Sequence, residues 1–129
     1  MAERDSRAFL ELEEMTTHTL IAGATGSGKT VTGQVMVEEA LEEGVNIIVL
    51  DPTAQWSGFL RECSDEEMLS KYSEFGMAKS RKKAFNGNIR AIDPGEEIDI
   101  TDYLKEDSEG EIIVFSLHKL DSKNIDEFV

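Results

Sequence analysis

Residues 18–30 have the sequence HTLIAGATGSGKT, and this stretch decides the fold. Its second part matches the pattern G-x-x-x-x-G-K-[ST] without a mismatch. Glycines let the backbone curl so that successive N–H groups point into one concavity, and the helix that follows offers its unpaired N-terminal donors to an anion. Lys29 adds a mobile cation for phosphate oxygens, and the Thr30 hydroxyl is placed to bind Mg²⁺. The pattern therefore predicts a nucleoside triphosphate site formed by Gly23, Ala24, Thr25, Gly26, Ser27, Gly28, Lys29 and Thr30.

The segments around this loop have the patterns that such a site requires. His18–Ala22 is a short apolar run typical of a buried parallel strand. Thr30–Glu43 has a broad apolar face and is predicted to be a helix that Gly44 ends. Val45–Leu50 predicts a second buried strand. A dinucleotide site is disfavoured, because the glycine spacing is not G-x-G-x-x-G.

The rest of the chain continues the alternation of helices and strands. Residues 64–67 match a capping box that would start a helix, and Asn86-Gly87-Asn88 is a turn signal. Residues 89–92 could form a strand, and 111–117 is a strong apolar strand. Asp121 or Ser122 could cap a final helix. This order predicts an α/β protein, a P-loop NTPase with three layers and a parallel sheet.

The predicted organisation is one domain with four parts. Residues 1–17 form a leading arm, and 18–60 form the core of strand, P-loop, helix and strand. Residues 61–110 are a helical or irregular excursion that includes a basic stretch at 79–90, and 111–129 add a strand and the start of a helix. Because the last helix has only about two turns, we expect an incomplete fragment of a longer domain.

The composition limits the partners that the chain can have. Its 129 residues include 27 acidic and 13 basic ones, and the net charge of −14 repels phosphate backbones on average. Five basic residues lie between Gly76 and Gly95, so nucleic-acid contact would start there unless the stretch is simply solvated. The single cysteine, Cys63, cannot form an internal disulfide, which fits a cytoplasmic location. No apolar run reaches the ~18 residues of a membrane span.

Asp51 is the second candidate site residue. It ends an apolar strand, which is the general form of a Walker B aspartate that holds Mg²⁺. The alternative is that Asp51 caps the following turn, which Pro52 closes. The later strand at 112–116 has no carboxylate at its carboxyl end, where ligands bind in such sheets.

Two further groups of residues carry weaker signals. Trp56, Phe59 and Leu60 could form a flap near the nucleotide base, although such residues more often pack beneath a loop. His18 and His118 do not have the spacing of a metal site.

The stretch from His18 to Leu60 resembles the HerA–FtsK group of P-loop ATPases, which includes archaeal DNA-pumping helicases and type IV secretion ATPases. The features in common are a histidine shortly before the P-loop, a loop of the form A/G-x-T-G-S-G-K-[ST], and a second strand that ends in Asp-Pro. The later segment IIVFSLHKL is similar to the strand before the helix that leads to the group's Walker B.

This resemblance implies a RecA-like core, ATP hydrolysis with Mg²⁺, homo-hexameric rings and movement of DNA through a central pore. It also implies that Asp51 is the group's second-strand aspartate and not its Walker B residue. The chain departs from the group because its sequence contains no apolar strand ending in Asp-Glu, no sensor residue and no identifiable arginine finger.

Three functions are compatible with this sequence. The favoured one is the ATP-binding part of a nucleic-acid-translocating ATPase. The alternatives are a small-molecule kinase or GTPase-like switch with Asp51 as Walker B, and a nucleotide-sensing module that does not hydrolyse. The sequence has no guanine-reading motif, which favours ATP.

Overall fold

The computed structural model describes residues 9–62, 64–71, 84–103 and 109–128. These residues contain helices α1 (Lys29–Glu42), α2 (Glu66–Lys71) and α3 (Ser122–Phe128), strands β1 (Ile47–Asp51), β2 (Gly87–Ala91) and β3 (Ile112–Ser116), and 3₁₀ helices at Glu14–Thr16, Ser57–Leu60 and Ile100–Tyr103. The predicted α/β class with a parallel sheet is confirmed. Of the predicted features, Cys63 and most of the basic stretch lie outside the described residues.

The sheet is parallel, with the strand order β1-β3-β2. The central strand β3 is buried along its whole length, as its continuous apolar sequence predicts for a strand covered on both faces. Its alternate residues serve opposite faces, because successive side chains in a strand point to opposite sides. Ile112 and Val114 belong to one core, while Ile113 and Phe115 belong to the other.

Two apolar cores lie on the two faces of this sheet. The first contains the end of α1 and the Ser57–Leu60 helix, and its members are Leu41, Val49, Phe85, Ile112 and Val114, with Val37, Ile47, Trp56, Phe59 and Leu60 packed against them. The second contains the Ile100–Tyr103 helix and α3, and its members are Ile92, Ile113, Phe115 and Leu117, with Ile48, Ile98, Tyr103, Leu120 and Ile125 packed against them. The described chain therefore has three layers, with the sheet in the middle.

Helix α1 ends as the sequence predicts. Gly44 has a φ of 84°, and its N–H donates to the Leu41 carbonyl at 3.1 Å. The Val45 N–H donates to the Ala40 carbonyl at 3.0 Å, which completes a Schellman motif. Gly110, with a φ of 66°, packs against this helix end, since a Cβ there would lie 2.4 Å from the Leu41 carbonyl oxygen.

The strand predicted at His18–Ala22 is wrong for the described structure. Residues 18–24 are in neither helix nor strand, and Leu20 is 89% exposed. A strand exists only through hydrogen bonds to a neighbouring strand, and β1, β2 and β3 pair only with one another in the described part of the chain. The segment therefore has the composition of a strand without a partner that would make it one.

Of the two other helix caps predicted from the sequence, the cap of α3 is confirmed and the cap of α2 lies one residue later than predicted. Asp121 caps α3, since its Oδ1 accepts the Asn124 N–H at 2.9 Å. At α2 the cap is Asp65 and not Ser64, because the Asp65 Oδ1 accepts the Glu67 N–H at 2.9 Å.

The turn predicted around Gly87 is instead the start of β2. A Cβ on Gly87 would lie 1.9 Å from the Ile112 carbonyl oxygen, so glycine is required there by close contact with β3.

Candidate nucleotide-binding site

The loop that precedes α1 has the backbone geometry that its glycines predict. Gly26 and Gly28 have φ values of 78° and 87°, in the left-handed region that side chains disfavour. A Cβ at either position would meet nothing within 4 Å. The glycines are therefore needed for backbone conformation, and the space next to both residues is open to a ligand.

The start of α1 presents hydrogen-bond donors that the helix itself does not use. Its first helical hydrogen bond runs from the Thr32 N–H to the Gly28 carbonyl at 2.9 Å, so the N–H groups of Lys29, Thr30 and Val31 come before the helical ladder. In the described structure no side chain caps this helix, and its first turn contains no acidic residue. Since the helix dipole places partial positive charge here, this end of the helix is suited to an anion.

Lys29 and Thr30 lie where the helix meets the loop, and their side chains differ in their contacts. The Lys29 ammonium donates to the Ala24 carbonyl at 2.8 Å, so the side chain lies across the loop. A phosphate would replace this contact with a stronger, charge-assisted one. The Thr30 side chain is exposed and has no hydrogen bond within the described residues, whereas the Thr32 hydroxyl bonds back to the Gly28 carbonyl at 3.1 Å.

Asp51 is buried, with only 1% of its surface exposed, and its carboxylate holds the turn that follows β1. Oδ1 accepts the Thr53 N–H at 3.0 Å and the Thr53 hydroxyl at 3.1 Å. Oδ2 accepts the Trp56 N–H at 3.0 Å. The capping role considered from the sequence is thus what the structure contains, and the Mg²⁺ role of Asp51 stays a prediction.

The turn at residues 52–56, hereafter the Asp51 loop, contacts α1 just beyond the phosphate loop. The Gln34 side-chain amide donates to the Gln55 carbonyl at 3.1 Å. A Cβ placed on Gly33 would lie 3.8 Å from the Trp56 ring and 3.5 Å from Ile21. The Asp51 loop therefore lies beside the second turn of α1, about 7 Å along the helix from Lys29 at 1.5 Å per residue.

The aromatic side chains after Asp51 belong to the core. Trp56 stacks on Phe59 with ring centroids 5.7 Å apart, and Phe59 packs on Phe85 at 6.1 Å. The rings of Trp56 and Phe59, together with Leu60, pack against the core cluster beneath α1. The structure therefore favours the packing interpretation of these residues over a flap.

Sequence reasoning missed a polar pair at the carboxyl end of β3. Ser116 is the register partner of Asp51 and, by the alternation along the strands, faces α1 as Asp51 does. The Ser116 hydroxyl and His118 Nδ1 form a hydrogen bond of 2.8 Å. The usable signal is that any polar side chain that ends an apolar strand lies at the edge of the sheet where ligands bind.

Arg90 is the one basic residue of the stretch at 79–90 that lies among the described residues. Its guanidinium bonds the Tyr103 hydroxyl and the Glu96 carboxylate. The hydrogen bond to Tyr103, with a further contribution from Glu96, raises the pKa of Arg90 above its ordinary value. Arg90 is thus tied to the fold, while Lys79, Arg81, Lys82 and Lys83 lie outside the described residues.

The described residues contain neither a candidate metal cluster nor a candidate membrane-spanning helix. No group of three or more His, Cys, Asp or Glu side chains there could hold a metal ion. None of the described helices has the length and apolar character that crossing a membrane requires.

Comparison with known proteins gives one match. The sequence profile of the family described as helicase HerA, central domain, matches residues 1–127, which is nearly the whole chain. Comparison with curated proteins finds no match, and neither does comparison with solved structures.

Proposed function

The chain belongs to the family of the HerA helicase central domain, and from that membership we propose that it is the ATP-binding part of a motor that moves DNA. The uncapped start of α1 behind two left-handed glycines supports the nucleotide-binding part of this proposal most strongly, because it provides donors, positive potential and open space for a triphosphate. ATP with Mg²⁺ is the cofactor pair that we propose.

Each residue of the loop has a proposed role. The amides of Gly26 to Thr30 surround the β-phosphate, and the Lys29 ammonium leaves the Ala24 carbonyl to bind the β- and γ-phosphate oxygens. Gly23, Ala24, Thr25 and Ser27 complete the loop around the same group, and the exposed Thr30 hydroxyl holds the metal ion. When bound, Mg²⁺ would neutralise the phosphate charge that develops during transfer.

The nucleotide part of the proposal is tested by calorimetry with ATP and Mg²⁺ on residues 1–129 and on Lys29→Ala. We expect the variant to remain folded and to bind at least about tenfold more weakly, because one charge-assisted contact is lost. Lys119→Ala is the matched control, since Lys119 pairs with Asp93 on the surface at 2.9 Å. Equal ATP affinity in all three proteins would reject the P-loop assignment.

The same samples separate the proposed motor part from a kinase or switch. The sequence offers no carboxylate at the end of β3, where Ser116 stands. A group that orients the attacking water commonly contributes about 10²–10⁴ in rate. We therefore expect residues 1–129 to bind ATP and to release phosphate very slowly. Fast release that Lys29→Ala abolishes would instead favour a kinase or switch with Asp51 as its metal ligand.

The DNA part rests on the family and on the basic stretch, and it has its own test. Binding of labelled duplex DNA is measured by fluorescence anisotropy for the parent and for a triple variant with Arg81, Lys82 and Lys83 changed to Gln. A control variant carries three Gln substitutions at Arg61, Lys105 and Lys123, so that both variants have the same net charge. We expect only the first variant to lose affinity and salt dependence. Equal losses of DNA affinity in both variants would show that binding depends on the net charge of the chain and not on the basic stretch.

Assembly into a homo-hexameric ring is the remaining part of this proposal. Sedimentation velocity with and without ATP measures it, and a single monomeric species at all concentrations would argue against ring formation by this chain.

A further inference from the structure

We propose that Asp51 is a positioning residue that holds the Asp51 loop against α1 and so shapes the nucleotide site, and that it is not a ligand of Mg²⁺. This inference rests on the proposed nucleotide site and names the part that Asp51 plays in it. Asp51 is the only charged side chain in the described residues that is almost completely buried. A charge buried to this degree is stable only when its hydrogen-bonding capacity is used.

The first argument is the occupancy of the carboxylate. A carboxylate has about four acceptor positions. Three of them are filled by the Thr53 N–H, the Thr53 hydroxyl and the Trp56 N–H. All three donors come from the five residues after Asp51, so the carboxylate is hydrogen-bonded within its own loop. A metal ligand needs an oxygen that faces the ion or its water, and this carboxylate is 1% exposed.

The second argument is the backbone that these bonds hold. Ala54, inside the loop, has a φ of 57°, which is the left-handed region that alanine disfavours. Such a conformation persists when its surroundings fix it from both sides. Here Asp51 binds the residue before Ala54 and the second residue after it. The carboxylate thus forces a conformation that the loop would not choose by itself.

The third argument is where the loop rests. Gln55 accepts the hydrogen bond from Gln34 of α1, and the Trp56 ring lies next to Gly33 of the same helix. These contacts lie in the first two turns of the helix whose N-terminus presents donors to the phosphates. The Asp51 loop therefore rests on the helix that presents donors to the phosphates, and the carboxylate of Asp51 ties this loop to the end of β1.

The two roles of Asp51 predict different effects on nucleotide binding. A metal ligand contributes only when Mg²⁺ is present, whereas a positioning residue contributes with or without the metal. The test is to measure ATP dissociation constants by calorimetry in excess Mg²⁺ and in excess EDTA. The proteins are the parent, Asp51→Asn and Thr30→Ala, the last as the reference for a lost metal contact.

We expect Asp51→Asn to weaken ATP binding about threefold to tenfold, by the same factor in Mg²⁺ and in EDTA, because the amide NH2 that replaces Oδ2 cannot accept the Trp56 N–H. Thr30→Ala is expected to lose affinity in Mg²⁺ alone. Loss in Mg²⁺ alone for Asp51→Asn would overturn the inference, and so would unchanged affinity in both conditions. A parent chain that binds no ATP would reject the proposed function, which is a different result from either of these.

A second variant and a second signal guard against a merely unfolded protein. Thr53→Val removes only the hydroxyl donor to Oδ1 and leaves the carboxylate in place, so we expect a smaller loss that is again equal in the two conditions. Trp56 is the single tryptophan of the chain, so its emission reports on the Asp51 loop. ATP is expected to change this emission in the parent and to change it less in both variants. An ATP response in Asp51→Asn identical to that of the parent would contradict positioning.

Discussion

Replacing Gly28 with alanine tests two roles of this residue in the phosphate loop: its left-handed backbone in the stability of the fold, and its part in binding ATP. Gly28 is the residue immediately before α1 and has a φ of 87°. A Cβ there would touch nothing within 4 Å, so the substitution introduces no collision. The whole cost is the left-handed backbone, which is about 1–2 kcal/mol for a residue with a side chain. With an m value of about 2 kcal/mol per molar urea, the unfolding midpoint falls by about 0.5–1 M.

The same substitution is expected to reduce the free energy of ATP binding by more than it reduces the free energy of unfolding. If the new alanine escapes the strain by leaving the left-handed region, the N–H groups of Lys29 and Thr30 turn away from the phosphate. Losing one hydrogen bond to a charged group costs about 1.5–3 kcal/mol, which is about tenfold to a hundredfold in the dissociation constant.

Gly58→Ala is the matched control for both measurements. A Cβ on Gly58 also meets nothing within 4 Å, and Gly58 is not among the glycines with positive φ. We expect urea unfolding and calorimetry of Gly58→Ala to match those of the parent or to show slight stabilisation. If Gly28→Ala and Gly58→Ala gave the same midpoint and the same ATP affinity, the left-handed loop would not be the phosphate cradle.

Two other predictions concern anions and pH. Pyrophosphate without nucleotide should stabilise the fold, by about 2.7 kcal/mol at 100 times its dissociation constant; thermal unfolding against sodium chloride of equal ionic strength measures this, and an unmoved melting temperature would contradict it. The Thr101 hydroxyl and N–H hold the pKa of Asp99 below its ordinary value of 3.8. The ionised Asp99 therefore stabilises the fold above that pH, and this stabilisation is lost as the pH falls through the pKa of Asp99 in the folded protein. In Thr101→Val, NMR titration should find the Asp99 pKa raised toward 3.8, and an unchanged pKa would show that the hydroxyl is not its main cause.

The parts of the fold that sequence could predict are those encoded locally. The phosphate loop depends on glycines at fixed spacing, and the end of α1 depends on Gly44, whose backbone few other residues adopt. Strands β1 and β3 were recognisable from their continuous apolar runs, but the burial on both faces that such runs indicate is found throughout only in β3, whereas β1 is partly buried and its Leu50 is exposed. Each of these features is decided by residues within a few positions of one another.

The parts that sequence could not predict depend on partners distant in the chain. His18–Ala22 has the composition of a strand, but composition cannot supply the neighbouring strand. Gly87 looked like a turn because the close approach of Ile112 that demands a glycine comes from a segment 25 positions later, by the difference of the two residue numbers. Both errors come from interactions that a local pattern does not contain.

Asp51 illustrates a third limit, which is chemical and not spatial. A carboxylate at the end of an apolar strand is equally suited to a metal ion and to a row of N–H donors. The choice is made by the path of the next five residues, which brings the Trp56 N–H back to Oδ2. Sequence could name the candidate site residue, and only the geometry of the loop could indicate which role it has.

The junction of Gly110 with the end of α1 restricts how this domain can change in length during evolution. A Cβ on Gly110 would lie 2.4 Å from the Leu41 carbonyl oxygen and 3.7 Å from the Gly44 Cα, so two connections of the chain touch there without room for a side chain. Beside them, the Glu111 N–H donates to the Asn46 side chain at 3.0 Å. An inserted residue in either connection would separate β1 from β3. Homologous domains should therefore keep the length of both connections fixed, and insertions that accompany new substrates should be found at the opposite end of the sheet.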